Sequence, residues 1–267
     1  MAAYTSKVIV LTGASQGIGK ALALALAPQK PVLVLAARDV DALRAVEAEC
    51  QALGATTFLV RTDVTDEEQC RALIRRTVEA TGALDVLIHN AGGGMNARFD
   101  QVRDVSVFEK LMRVNYLGPV YLTHEAIPHL KKSRGQIVVI ASVAGLTGVP
   151  LRTAYSGSKH AVFGLFESLR IELEEFGVAV TMIAPDFVQS EIHKRAYGPD
   201  GNPVGDTTIA ERKAMPAADC AALIVAAMAR RQRLLITSWR GKLGRYARLV
   251  APRLIDGIAS RAIRRGV

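Results

Sequence analysis

The sequence has no run of about 18 uncharged apolar residues, although half of its 267 residues are hydrophobic. A membrane-spanning helix is therefore not expected, while a sizeable core is. A strand-like run from Val8 to Leu11 begins almost at the N-terminus, which leaves no room for a secretory leader. Cysteine is scarce, and Cys50, Cys70 and Cys220 lie far apart in helical-looking segments. That spacing excludes a disulfide framework or a metal knot and fits a reducing cytoplasm. The five histidines show no ligand spacing, so no metal is expected. Internal repeats and low-complexity linkers are also lacking.

Excess charge is absent from most of the chain. Eight Lys/Arg against the single acid Asp256 give residues 240–267 a net +7, out of +9 for the whole chain. The body is thus nearly neutral. No basic face interleaved with aromatic residues is visible, so nucleic acid is not expected as a partner.

Short apolar runs alternate with amphipathic stretches. Strand candidates lie at 7–12, 31–36, 56–61, 84–89, 136–141, 178–183 and 234–237, and most are rich in Val, Ile and Leu without polar alternation, as in strands buried on both faces. Helical patterns fill 18–27, 39–53, 67–81, 106–132, 153–176 and 217–230. This alternation predicts an α/β fold: a single doubly wound Rossmann domain over residues 1–239, with a seven-stranded, mostly parallel sheet between helices. The stretch from Pro185 to Pro216 is rich in Pro and Gly and has little periodicity. It is expected to form a lid (186–215) at the carboxyl edge of the sheet, where ligands bind in such folds.

After the first strand comes Thr12-Gly13-Ala14-Ser15-Gln16-Gly17-Ile18-Gly19. Glycines here let the backbone turn tightly and approach a pyrophosphate, and the next helix offers free N–H groups and a positive dipole end. The context between first strand and first helix is the one a dinucleotide site requires. The second strand ends Ala36-Ala37-Arg38-Asp39. Where an NAD site commonly carries an acid for the ribose hydroxyl, this chain has Ala37 and then Arg38, a match for a 2′-phosphate. NADP(H) is therefore expected over NAD(H), with Asp39 as a helix N-cap. Asp63 and Val64 follow the third strand; Asp63 either meets the adenine or caps the next helix. After the fourth strand, Ala91 and Gly92 let a cofactor lie close, and Asn90 is placed to tie strands together.

Tyr155 and Lys159 lie four apart, on one face of a helix. A phenol beside an ammonium is a route to a proton donor that works near neutral pH, because a cation favours the phenolate. Ser142 ends the fifth strand, and Asn115 sits within a helix that suits an amide poorly.

In this order, Thr12-Gly-x3-Gly17-x-Gly19, Asn90-Ala91-Gly92, Asn115, Ser142 and Tyr155-x3-Lys159 resemble the short-chain dehydrogenase/reductase family from about Lys7 to Thr237. Ala37-Arg38 and the basic C-terminus more weakly resemble its 11β-hydroxysteroid dehydrogenase-like branch. The resemblance implies that Tyr155 is the general acid in carbonyl reduction and the base in alcohol oxidation. Lys159 would hold the nicotinamide ribose and lower the Tyr155 pKa. Ser142 would bond the substrate oxygen, and Asn115 a proton-relaying water. It further implies contacts from Val188 and Ser190 to the nicotinamide, and a homodimer or homotetramer. The expected reaction is NADPH-dependent reduction of a small, hydrophobic carbonyl compound. A 3-oxoacyl-thioester reductase and a nonenzymatic NADP-sensing or scaffold protein are the alternatives.

Two departures stand out. Asp186 replaces the usual Gly after Pro185; it is expected to keep a positive φ, either as an Asx-type turn residue or as a substrate-contacting acid. His89 replaces a common Asn and is read as structural. Phe187, Ile192, Tyr197 and Ile209 supply apolar contacts from the lid. In the extension 240–267, Leu243, Tyr246, Leu249, Val250, Leu254, Ile255 and Ile258 form an apolar stripe opposite several arginines. This stripe either packs on the domain, walls the substrate site, joins subunits or lies peripherally on a membrane.

Overall fold

In the computed structural model, which describes residues 3–205 and 214–264, the apolar runs become one sheet. Its strands are β1 (Val8–Thr12), β2 (Val32–Ala37), β3 (Thr56–Arg61), β4 (Val86–His89), β5 (Gln136–Ile140), β6 (Ala179–Ala184) and β7 (Leu234–Ile236). They pair in the order β3-β2-β1-β4-β5-β6-β7, and every pairing is parallel. Successive strand residues feed opposite cores, as the period of two demands. Ile9 and Leu11 pack with Leu22, Leu26, Leu43 and Ile224, whereas Val10 packs with Leu73, Leu122 and Phe166.

Those partners come from helices on the two faces. On one face lie α1 (Gly17–Leu26), α2 (Val40–Ala52) and α7 (Ala217–Ala229). On the other lie α3 (Glu67–Thr81), α5 (Gly118–Ser133) and α6 (Thr153–Glu172). Helix starts follow the capping residues. Asp39 accepts from the Ala42 N–H at the head of α2, and Asp66 accepts from the Gln69 N–H at the head of α3.

The helical pattern over 106–132 is interrupted. After α4 (Ser106–Met112), a π-helical turn spans Arg113–Leu117 before α5 begins. Such turns insert one residue into the helical ladder and frequently mark functional sites. Asn115 lies in this turn.

The chain crosses from β3 to β4 over the sheet, so β1 and β4 are neighbours and their following loops diverge. This is the topological switch point, where open α/β sheets bind ligands.

Beyond β7 come α8 (Trp239–Val250) and α9 (Pro252–Arg264). Gly241 packs α8 onto the domain: a Cβ there would lie 2.9 Å from both Val143 Cγ1 and Ile236 Cγ2. Ile209 of the expected lid lies outside the described residues. No described helix is long and apolar enough to cross a membrane, and the three cysteines are free and buried.

Candidate functional site

A cavity of about 710 Å³ opens at the switch point. The glycine turn forms one wall. Gly13 adopts φ +63°, and a Cβ on it would lie 2.9 Å from both the Ala91 Cα and Asn90 Nδ2. Gly19 allows a closer approach still, since a Cβ would fall 2.1 Å from the Gly13 carbonyl oxygen. Asn90 fixes the turn by donating from Nδ2 to the Thr12 and Gly13 carbonyls, each at 3.0 Å. The backbone N–H groups of Asn90 and Ala91 donate to Thr12 Oγ1 at 3.0 and 3.1 Å. The side chain of Gln16 does not cap α1, and no acid stands in its first turn. The N-terminal N–H groups therefore face the cavity with their dipole uncompensated.

Gly13, Ser15, Gln16, Gly17 and Ile18 line this wall, and Arg38, Asp63, Val64, Asn90, Ala91 and Gly92 continue it. Gly19 lies behind it. Arg38 is exposed at the end of β2. Asp63 is not a helix cap, because Asp66 has that role; its Oδ1 accepts instead from the Thr65 N–H at 3.0 Å and Thr65 Oγ1 at 2.8 Å. Val188 and Ser190 close the cavity from the loop after β6, and Ser190 Cβ sits 3.2 Å from where a Gly17 Cβ would be.

Ser142, Tyr155 and Lys159 line the opposite wall. Ser142 heads a 3₁₀ turn, its Oγ accepting from the Ala144 N–H at 3.1 Å. Lys159 donates from Nζ to the Ile140 carbonyl at 2.9 Å, and Nζ stands 5.8 Å from the centre of the Tyr155 ring. Asn115 is not at the cavity surface. Its Oδ1 accepts from the Gly93 N–H (3.0 Å), and its Nδ2 donates to the Gly93 carbonyl (3.1 Å) and Ser158 Oγ (2.9 Å). It thereby ties the loop after β4 to the helix carrying Tyr155 and Lys159. A Cβ on Gly92 would meet Asn115 Oδ1 at 2.8 Å and lie 3.8 Å from Lys159 Nζ.

The electrostatics differ from the expectation that Lys159 makes Tyr155 acidic. Burial raises the Tyr155 pKa and wins; the opposing influences are the neighbouring Ser142 hydroxyl and the Arg152 guanidinium. Lys159 is itself pushed down to about 8 by burial. Removing water from a charge costs more than one carbonyl contact returns. Because its folded pKa is below the unfolded one, Lys159 destabilises the fold at neutral pH. Stability rises as pH climbs from about 8 towards the ordinary 10.5. Lys159→Met is therefore expected to raise the melting temperature at pH 7, by about 1–3 kcal/mol of stability, with the advantage shrinking at alkaline pH. Thermal melts of both proteins across pH check this.

His89 is structural, as read. Its Nε2 pairs with Thr123 Oγ1 at 2.8 Å, and burial holds its pKa down at about 3. Asp186 corrects its expectation, because it does not have a positive φ. Its carboxylate accepts from Ser238 Oγ at 2.7 Å, and Ser238 caps α8. The residue anchors the C-terminal helix to the cavity loop and at the same time lines the cavity.

The lining residues not singled out in the sequence include Arg152, His193 and Val149. Arg152 stands three residues before Tyr155, one helical turn away, and that spacing is the signal that points to it. Phe187, Ile192 and Tyr197 of the expected lid also line the cavity.

Residues 7–199 match the family model described as short chain dehydrogenase. A Dictyostelium discoideum protein, dehydrogenase/reductase SDR family protein 7-like, is 33% identical over 259 residues, covering 95% of this chain and 80% of its own length. An Arabidopsis thaliana protein, 11-beta-hydroxysteroid dehydrogenase-like 4A, is 40% identical over 185 residues, which are 69% of this chain and 62% of that protein. The chain thus spans under two thirds of that plant relative. Among solved structures, a Burkholderia phymatum short chain dehydrogenase/reductase in complex with NAD superposes with a TM-score of 0.85 at 30% identity, covering 95% of this chain and 96% of that one. A Thermococcus sibiricus alcohol dehydrogenase complexed with 5-hydroxy-NADP gives 0.74 at 27% identity, covering 86% and 95%.

Proposed function

For a chain that belongs to the short-chain dehydrogenase/reductase family of oxidoreductases, we propose an NADPH-dependent reductase that converts a carbonyl to a secondary alcohol, and reversibly the alcohol to the carbonyl. The observation that carries this reading is the meeting of two walls in one cavity: a glycine cradle that any Cβ would fill, and the Ser142–Tyr155–Lys159 set facing it. The cradle and the uncapped start of α1 suit a pyrophosphate. When bound, NADPH supplies the hydride.

The chain's own residues supply the rest. A carbonyl oxygen that becomes an alkoxide needs a proton and a hydrogen-bond donor. The phenol of Tyr155, held protonated by burial, gives the proton. Ser142 Oγ accepts from the Ala144 N–H, and its hydroxyl, beside the Tyr155 phenol, supplies a hydrogen bond to the substrate oxygen. Lys159 stands behind Tyr155, held by its bond to the Ile140 carbonyl, where it is placed to bond the nicotinamide ribose. Asn115 keeps the two supporting segments in register.

The preference for NADPH rests on Arg38. It lines the cavity, and among the described residues no side-chain hydrogen bond or ion pair engages it. Asp39, the only acid beside it at the end of β2, is committed to capping α2. Arg38→Ala is expected to lower kcat/KM for NADPH by about 10–100-fold, the weight of a charge-assisted hydrogen bond or two, while leaving NADH unchanged. The function is tested by NADPH and NADH oxidation with a panel of ketones, aldehydes, steroids and acyl thioesters. Consumption of neither cofactor with any of these removes the reading.

A further inference from the structure

The substrate side of the cavity holds a cation with no ion-pair partner among the described residues. Arg152 lines the wall next to Tyr155, where its guanidinium stands 5.6 Å from the centre of the Phe187 ring. It takes no part in a salt bridge among the described residues, and its side chain does not cap α6 although it occupies the N-cap position. Among the described residues no acid of the cavity wall pairs with it: Asp39 accepts from the Ala42 N–H, Asp63 from Thr65 and Asp186 from Ser238, and Glu191 pairs with Lys194. The cations Lys110 and Arg113 are likewise occupied, by Asp104 and Glu109.

Two further features surround Arg152. The preceding residue, Leu151, has φ +65°, a conformation costly for a branched side chain. It is held there by the Ala97 N–H, which donates to its carbonyl at 2.9 Å. That strain sets the direction in which the chain enters α6. Burial, and after it the Arg152 guanidinium, lowers the His193 pKa, so the ring beside Arg152 is neutral and offers it no counter-charge. A half-buried guanidinium without an anionic partner is expensive in a protein interior. That cost is removed by a ligand that brings acceptor oxygens.

Resting on the reductase reading above, we propose that Arg152 anchors an anionic group of the substrate, so that the site takes oxo acids: carbonyl compounds carrying a carboxylate close to the reacting carbon and an apolar body. Arg binds carboxylates through a planar fork of donors. Its closeness to Tyr155 sets the carboxylate within a few bonds of the carbonyl. Phe187, Ile192 and Val149 line the space left for the apolar part.

The test uses matched pairs, benzoylformate and benzoylacetate each against its methyl ester, with the wild-type enzyme, Arg152→Met and Arg152→Lys. The wild type is expected to prefer each acid over its ester. Arg152→Met is expected to lose roughly 10–150-fold in kcat/KM for the acids, the range for hydrogen bonds to a charged group, mainly through KM. The esters should lose much less than the acids, and Arg152→Lys, which keeps a cation beside Tyr155, should recover part of the loss. Preference of the wild type for the esters overturns the proposal and leaves the reductase reading intact. Equal losses for acid and ester also overturn it, since Arg152 would then act through Tyr155. If no compound is reduced, calorimetric binding of benzoylformate to the NADP⁺-loaded protein decides. Binding lost in Arg152→Met supports the anion site, and no binding to the wild type removes it.

A separate observation concerns α8. Trp239, Leu243, Tyr246 and Val250 fall at i, i+4, i+7 and i+11, one face of the helix. They are 73, 61, 66 and 84% exposed. The opposite face is the docked one: Gly241 packs on Val143 and Ile236, and Arg248 donates to the Leu146 carbonyl at 2.9 Å. An ordinary surface helix turns its apolar face inward; this one turns it out. The flanks carry Arg240, Lys242 and Arg245, and no acid occurs from Trp239 to Ile255. Self-association through this face would bring like charges together. We infer that α8 lies on an anionic lipid surface, with its apolar face among the acyl chains and its cations at the phosphates.

Because Trp239 is the protein's single tryptophan, its fluorescence reports directly on that face. Co-flotation with phosphatidylserine-containing vesicles and a blue shift of Trp239 are expected. Both should be absent with phosphatidylcholine alone and lost in Leu243→Glu/Val250→Glu. Failure to float with anionic vesicles overturns the inference. So does a dimer that the same substitutions dissolve in the absence of lipid.

Discussion

Tyr155→Phe is expected to lower kcat for NADPH-dependent carbonyl reduction by roughly 10²–10⁴-fold, the usual weight of a general acid, with NADPH affinity unchanged. The ring is kept, so the cavity wall keeps its shape; only the proton is removed. Ser142 cannot replace it, because an aliphatic hydroxyl is a far weaker acid than a phenol. Burial raises the Tyr155 pKa, while Ser142 and Arg152 oppose it. The phenol is thus protonated at neutral pH, as a donor to a forming alkoxide must be. Steady-state kinetics and a fluorescence titration with NADPH separate the two readouts. Equal turnover by the variant would remove Tyr155 from the chemistry.

Gly19→Ala is expected to abolish NADPH binding and cost about 1–3 kcal/mol of stability. Gly19 does not need a positive φ, so the effect is one of space. The added methyl would lie 2.1 Å from the Gly13 carbonyl oxygen and 2.5 Å from Asn90 Nδ2. Neither atom is free to yield. The same Asn90 amide bridges the Thr12 and Gly13 carbonyls, so displacing it opens the turn that faces the cofactor. A melting temperature lower by roughly 2–4 °C per kcal/mol is expected, together with loss of NADPH fluorescence enhancement. Wild-type binding by this variant would show that the turn relaxes, against the fit argued here.

Most of the sheet was legible because a parallel strand covered on both faces is apolar along its length, and each predicted run became a strand in order; the edge strand β3, with Thr56, Thr57 and Arg61, is only partly covered. The glycine turn and the Ser142–Tyr155–Lys159 set were legible because their chemistry depends on local spacing. What depended on distant neighbours was not. The π-helical turn at Arg113–Leu117 accompanies the bonding of Asn115 to Gly93, a segment 22 residues away, and the helical periodicity of 106–132 carries no sign of it. Arg152 resembles any helix-leading arginine until the commitments of Asp39, Asp63, Asp186 and Glu191 are known. Pairing Tyr155 with Lys159 by spacing gave the neighbours correctly but the wrong balance, since sequence holds no measure of burial. The amphipathic character of 240–258 was visible, yet which face docks is decided by Gly241 against Val143 and Ile236.

The central claim is that this cavity moves a hydride from nicotinamide to a carbonyl carbon while Tyr155 protonates the oxygen. Reduction with NADPH deuterated at the nicotinamide C4, followed by mass spectrometry of the alcohol, tests it most directly. Deuterium on the carbinol carbon from the wild type, with none from Tyr155→Phe in the same time, is the predicted result. Alcohol formed without deuterium from either face of the label, or with equal incorporation by the variant, would contradict the account.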